Sequence, residues 1–332
     1  MPEKASNPFV AKEEWIGRKE WIAQWEHALD AAVHGRRMAI ILEGMYGSGK
    51  TMALKNMQQS ARHHGLWSAY VSVHEGDDER SMVRKIVSQL REEHPEGAPA
   101  AGIATVSKLL TDVDHIAKNA HRGVALFLDD GNEMRACGRL LQKISDMLFH
   151  EKMQTGWLIV ISGNRFEREY GLERRMLPLL EREDAVAYIE RTLAPTKIKI
   201  GKECLHLAVE DAAGNPRILL AILRILYDQL TREEKLITKA HYLRTMRKIL
   251  NMLATLFDDL YYKTSQQERK ILRVMAKGEA IPVSELAKRL RLPLNTVTTL
   301  ALRLVKKGSL VKVERGSYQL FNPLYGRYIL KR

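Results

Sequence analysis

Only two cysteines, Cys137 and Cys204, occur in 332 residues, which excludes a disulfide framework and makes a reducing compartment the default. No CxxC or HxxxH spacing occurs and the 11 histidines are scattered, so no structural metal is expected. Long apolar runs are missing as well. The longest, such as residues 38–42 and 157–161, fall far short of the roughly 20 residues that cross a bilayer, so no membrane association is expected. The opening MPEK does not lead from a basic segment into an apolar one, so no secretory signal is read and a prokaryotic cytoplasm is the expected location. Aspartate is absent from the last 67 residues, where four glutamates face fifteen lysines and arginines.

That last absence locates the charge. Of the formal net charge of +13, +11 lies in residues 266–332 and only +2 in the first 265. Such a concentration is expected of a nucleic-acid-binding module joined to a near-neutral body; a solvated basic face is the plainer reading. Hydrophobic content of 45% with 28% charged residues fits a soluble globular chain of two or three domains.

Residues 38–43 (MAIILE) form an apolar run that suits a strand buried on both faces of a parallel sheet. Similar runs follow at 67–73, 124–128 and 157–162, separated by helical patterns at 51–63, 81–93, 106–120 and 135–149, with a loop at 96–102. Alternating strands and helices predict a doubly wound parallel α/β sheet. After about residue 180 the strand signal disappears, and 182–193, 202–213, 216–231 and 233–262 read as helices. The tail gives helices at 266–276, 283–290 and 294–307, then a hairpin of 310–313 and 317–321 around Glu314, Arg315 and Gly316. Three helices closed by a basic hairpin describe a winged helix.

Residues 44–51 (GMYGSGKT) fit G-x-x-x-x-G-K-(S/T), directly after a predicted strand and before a predicted helix. Gly44, Gly47 and Gly49 let the backbone curl so that the amides around Met45, Tyr46, Ser48 and Met52 face phosphate at the positive end of the helix. Lys50 then reaches the β- and γ-phosphates, and Thr51 ligates magnesium. The run VALFLDD delivers Asp129 and Asp130 at the ligand-binding edge of the sheet. Asp129 is placed to hold Mg2+, and Asp130 to orient the attacking water. Because Asp130 is a methylene shorter than glutamate, slow ATP hydrolysis is expected, with Glu133 as a substitute acid.

These residues resemble the AAA+ P-loop ATPases, in particular the branch of origin-recognition initiators, transposition regulators and archaeal signalling ATPases. The resemblance spans nearly the whole chain. In WIGRKEWI, Gly17, Arg18 and Glu20 look like the "GRxxE" box that lies against adenine, although an ordinary helix start fits as well. WLIVISGNR is similar to the sensor 1 strand, which implies Asn164, or Ser162 in its place, bonding the attacking water or the γ-phosphate; a simple turn is the plain alternative. GNPR is similar to sensor 2 and implies that Arg217 reads the γ-phosphate, against an incidental arginine at a helix start. An arginine finger is sought at Arg165, Arg174 or Arg175.

The expected organisation is a nucleotide-binding α/β core over 1–180, a helical lid with its linker helix over 181–264 and a winged-helix DNA-binding domain over 265–332. On the third tail helix Asn295, Thr296, Thr298, Thr299 and Arg303 can address base edges, while Lys306 and Lys307, with Lys312 and Arg315 on the wing, suit phosphates. The aromatics of FNPLYGRYI are expected to pack. The leading expectation is an ATP-dependent DNA-binding switch that binds duplex DNA, forms a homo-oligomer when ATP-bound and recruits, loads or regulates a DNA-processing partner in replication or transposition. A nucleotide-gated signalling ATPase with an autoinhibitory winged helix is the alternative.

Overall fold

Short apolar runs become the strands of a parallel sheet because both faces are covered by helices. The computed structural model describes residues 7–10, 15–95, 99, 102–134, 137–149, 153–164, 166, 168, 170–231 and 233–332. Two units separate: Arg18–Pro178, and the segment up to Gly17 taken with Leu179–Arg332.

In Arg18–Pro178 the elements run α1 (Lys19–Val33), β1 (Arg37–Glu43), α2 (Lys50–His63), β2 (Trp67–Ser72), α3 (Glu79–Glu93), α4 (Val106–Asn119), β3 (Val124–Asp129), α5 (Cys137–Phe149), β4 (Trp157–Gly163) and β5 (Glu173–Met176). The strands are parallel in the order β2-β3-β4-β1-β5. Strand β4 therefore stands between β1 and β3, and all three end on the edge where ligands bind in such sheets. Every residue of β3 and β4 is buried. Strand β5 (ERRM) is an addition to the sequence reading, since its charged residues carry no apolar signal. Of the expected 96–102 loop and the start of the 135–149 helix, residues 96–98, 100, 101, 135 and 136 lie outside the described ones.

Below β4, Asp114 of α4 is buried and accepts from the Gln154 and Thr155 amides, the Thr155 hydroxyl and the Trp157 indole at 2.6–3.0 Å. A buried carboxylate needs such partners, and here they fix the entry to β4.

The other unit contains α6 (Arg182–Leu193), β6 (Lys199–Ile200), α7 (Lys202–Ala212), α8 (Pro216–Asp228), β7 (Leu236–Ile237), α9 (Lys239–Met252), α10 (Ala254–Tyr262), α11 (Gln266–Met275), β8 (Ile281–Pro282), α12 (Val283–Leu290), α13 (Leu294–Lys306), β9 (Leu310–Glu314), β10 (Ser317–Leu320) and α14 (Pro323–Ile329). The single helix expected over 233–262 is corrected to a strand and two helices. Thr238 and His241 form a capping box that starts α9 afresh, and α10 begins after Leu253. Strands β6 and β7 pair in parallel, a short pairing the sequence reading lacked. The hairpin β9–β10 gains β8 as a third strand on β10.

Two ties hold this unit together. Phe9 is buried against Tyr188 and Tyr227, and Asn7 bonds the Arg224 carbonyl and the Asp228 carboxylate. At the other end Arg327 of α14 forms two bonds, 2.6 and 3.1 Å, to the buried Asp211 of α7, which also accepts from the Tyr242 hydroxyl. The tail aromatics pack as expected: Phe257 meets Phe321, Tyr325 and Tyr328 at ring-centroid distances of 6.3, 5.4 and 5.4 Å. Among the described residues no helix is long and apolar enough to cross a membrane.

Candidate functional site

Between β1 and α2 the chain turns through Gly47 and Gly49, whose φ values of 79° and 98° favour glycine. Gly49 caps α2 without a side chain, so the amides of the first turn keep no acceptor in the helix and face outward with the dipole. A Cβ on Gly44 would sit 2.8 Å from the Ser48 hydroxyl and 3.2 Å from Leu177 Cβ, so a side chain there would press on the turn. Lys50 is buried and its ammonium donates to the Gly44 and Met45 carbonyls at 2.9 and 3.2 Å and to Asn164 Oδ1 at 2.9 Å. Burial pulls its pKa down, while Asp130 and Asp129 pull it back up.

The acids sit at the end of β3. Asp129 is 2% exposed; one carboxylate oxygen accepts from Ser162 of β4 at 2.5 Å and the other from Tyr70 of β2 at 2.8 Å. The Ser162 hydroxyl oxygen in turn accepts the Asp130 amide at 3.0 Å. Asp130 has φ 54°, a left-handed position that aspartate tolerates better than most residues. Burial and the charge of Asp129 raise its pKa, against the pull of Lys50.

The residues fit a nucleoside triphosphate. The Ser48 hydroxyl is buried without a hydrogen-bond partner in the turn, and the arrangement of Gly44, Lys50 and the α2 amides suits an anion. No described group of three His, Cys, Asp or Glu could hold a metal alone. Thr51, exposed on the first turn of α2, and Asp129 therefore suit a magnesium ion that arrives with phosphates.

Other expected site residues fall differently. Asn164 accepts from Lys50, and Ser162 of β4 contacts both Asp129 and Asp130. Glu133 is exposed beside Asn132. Arg174 is occupied within its own unit, by the Glu43 carboxylate at 3.6 Å and the Phe166 carbonyl at 3.1 Å. Arg175 stacks over Trp25 at 4.9 Å and bonds Glu173. Arg165 lies outside the described residues. Arg18, assigned by resemblance to the adenine side, donates to the Ser48 carbonyl at 2.8 Å and thus braces the phosphate turn itself. Arg217 belongs to the other unit, exposed on the first turn of α8, where Asn215 caps its amide. The contacts of Tyr70 and Glu43 were missed, because neither belongs to a short motif; only a register placing Tyr70 on the strand beside β3 could have shown the first.

In the tail Asn295, Thr299, Arg303, Lys306, Lys312 and Arg315 are exposed, while Thr296 and Thr298 are half-buried. Three of these side chains also have partners within the tail. Lys307 pairs with the buried Glu268 at 2.7 Å, a carboxylate that needs a counter-charge. The Thr298 and Thr299 hydroxyls donate to the Leu294 and Asn295 carbonyls at 2.8 and 2.9 Å.

Residues 13–98 match the family profile described as "BREX system ATP-binding protein BrxC/D", a span that contains the whole phosphate turn. Residues 254–329, from α10 through α14, match a domain of unknown function, DUF8462. Curated protein sequences give no match. Among solved structures, a Walker-type ATPase of Pyrococcus abyssi is similar over 97% of this chain and 99% of its own, with TM-score 0.71 and 13% identity. Cdc6p of Pyrobaculum aerophilum is similar over 98% and 96%, with TM-score 0.53 and 12% identity. A RuvB variant of Thermotoga maritima covers 92% of each chain at TM-score 0.50 and 17% identity. The chain is therefore built on the α/β fold of the AAA+ P-loop ATPases, with its phosphate turn inside a segment that matches an ATP-binding family.

Proposed function

We propose that the chain is an ATP-dependent DNA-binding switch: its α/β unit binds and slowly hydrolyses ATP with magnesium, and its tail binds duplex DNA and recruits, loads or regulates a DNA-processing partner. When bound, the magnesium ion neutralises developing phosphate charge. Lys50 and the α2 amides hold the phosphates, Thr51 and Asp129 hold the metal, and Asp130 orients water from a position fixed by Ser162. Arg217 takes the γ-phosphate-sensing role that the resemblance implies, and a homo-oligomer is the expected ATP-bound assembly.

The DNA half of this reading rests on one observation, the exposed cationic face of α13 and the β9–β10 hairpin within a tail of charge +11. We read α11, α12 and α13 with this small sheet as a winged helix, in which the third helix addresses the major groove. Asn295 and Arg303 are the base-reading residues; Lys306, Lys312 and Arg315 meet phosphates. Anisotropy of a labelled duplex across a salt series tests it: affinity falls steeply with salt, and absence of binding at low salt removes the reading.

The signalling alternative is favoured by a separate feature. Leu294, Leu302 and Val313 stand about half exposed beside those cations, which suits docking of a protein. Under that reading the tail binds no duplex, and nucleotide changes its capture by a protein partner instead.

A further inference from the structure

Tyr70 has no place in the roles assigned above, yet its hydroxyl reaches one of the two acids at the end of β3. We infer that Tyr70 is a positioning residue for the metal-binding aspartate. The inference deepens the nucleotide reading and rests on it.

Asp129 has two carboxylate oxygens, and each accepts one hydroxyl: Ser162 from β4 at 2.5 Å and Tyr70 from β2 at 2.8 Å. The two donors come from the strands that flank β3 on either side, so the carboxylate is held from both directions and cannot rotate without breaking a charge-assisted bond. Ser162 is also tied to the Asp130 amide, which locks its own rotor. Tyr70 thus fixes the remaining freedom, the tilt of the second oxygen. Its ring lies in regular strand pairing, Tyr70 opposite Phe127, with Ser72 opposite Asp129, so the phenol reaches along the strand toward the acid at its end. Each carboxylate oxygen still offers a lone pair, enough to accept from water on a metal. A partner that orients a metal-holding carboxylate affects affinity through that carboxylate alone.

A purely structural bond would satisfy the buried acid and do nothing more. Tyr70→Phe separates the two, because it removes the donor and keeps the ring. With ATP present, Mn2+ affinity measured by electron paramagnetic resonance is expected to weaken about tenfold, as for loss of an outer partner of a metal ligand. ATP affinity in EDTA stays unchanged, and kcat falls while KM for ATP at saturating metal holds. If Tyr70→Phe matches the wild type in Mn2+ affinity and kcat and differs only in melting temperature, the inference is overturned. Should the wild type itself bind no ATP, with or without metal, the nucleotide reading fails first and takes this role with it.

Discussion

Lys50 shows how a single charge can organise a site. Its ammonium lies buried among two carbonyls and an amide oxygen, with two carboxylates near enough to oppose its loss of charge. Lys50→Ala is expected to weaken ATP binding by more than about a hundredfold in calorimetric titration, the equivalent of losing two charge-assisted contacts to phosphate, with the circular dichroism spectrum unchanged. Asp77, in the turn after β2, titrates with a different consequence. Burial pushes it up, but bonds from Lys85, the His74 amide and Ser81 outweigh burial and hold it at about 2, below its ordinary 3.8. A depressed carboxylate lends stability above its unfolded value and loses it as pH falls from 3.8 toward 2. Asp77→Asn should therefore cost about 1 kcal/mol at pH 7, after solvent screening, with the gap closing near pH 2 in urea melts. The phosphate turn and the acid pair could be read from the sequence because glycine spacing and a strand ending in acids are local. The clasp of Tyr70, and the diversion of Arg18 to Ser48, depend on which strands become neighbours.

Elements show the same division between near and far. Strands β1 to β4 were legible as apolar runs, whereas β5 was not, since only its pairing with β1 makes ERRM a strand. The break before α9 was missed because the reading ran one helix through Thr238, whose capping box uses His241 in place of the usual glutamate or glutamine. Helix α14 is held by a side chain rather than by its own length of seven residues. Arg327→Met leaves the Tyr242 hydroxyl as the one described side-chain partner of the buried Asp211 and is expected to cost about 2–3 kcal/mol, the range for hydrogen bonds to a charged group. Chemical denaturation of the full chain measures it. Asp114→Ala, which orphans two amides, a hydroxyl and an indole, should cost at least as much.

At the scale of the molecule the charge asymmetry makes a prediction that the fold does not. If Lys306 and Lys312 contact phosphates, replacing both by alanine flattens the slope of log affinity against log salt by roughly two, while Lys307→Ala should lower stability rather than the slope. Anisotropy and denaturation together separate these outcomes. The basic tail was plain in composition; the neutralisation of Lys307 by Glu268 was not, because it joins residues 39 apart.

The seat of Phe9 has a consequence for how the chain is made. Its carbonyl is bonded by Arg224, 215 residues further on, and the whole stretch from Arg18 to Pro178 belongs to another unit. A nascent polypeptide leaving the ribosome thus carries Asn7 and Phe9 without their partners on α6 and α8 until those helices have emerged, by which time every strand of the intervening sheet has been synthesised. Vectorial synthesis favours this order, whereas refolding from denaturant must close that 215-residue loop at random.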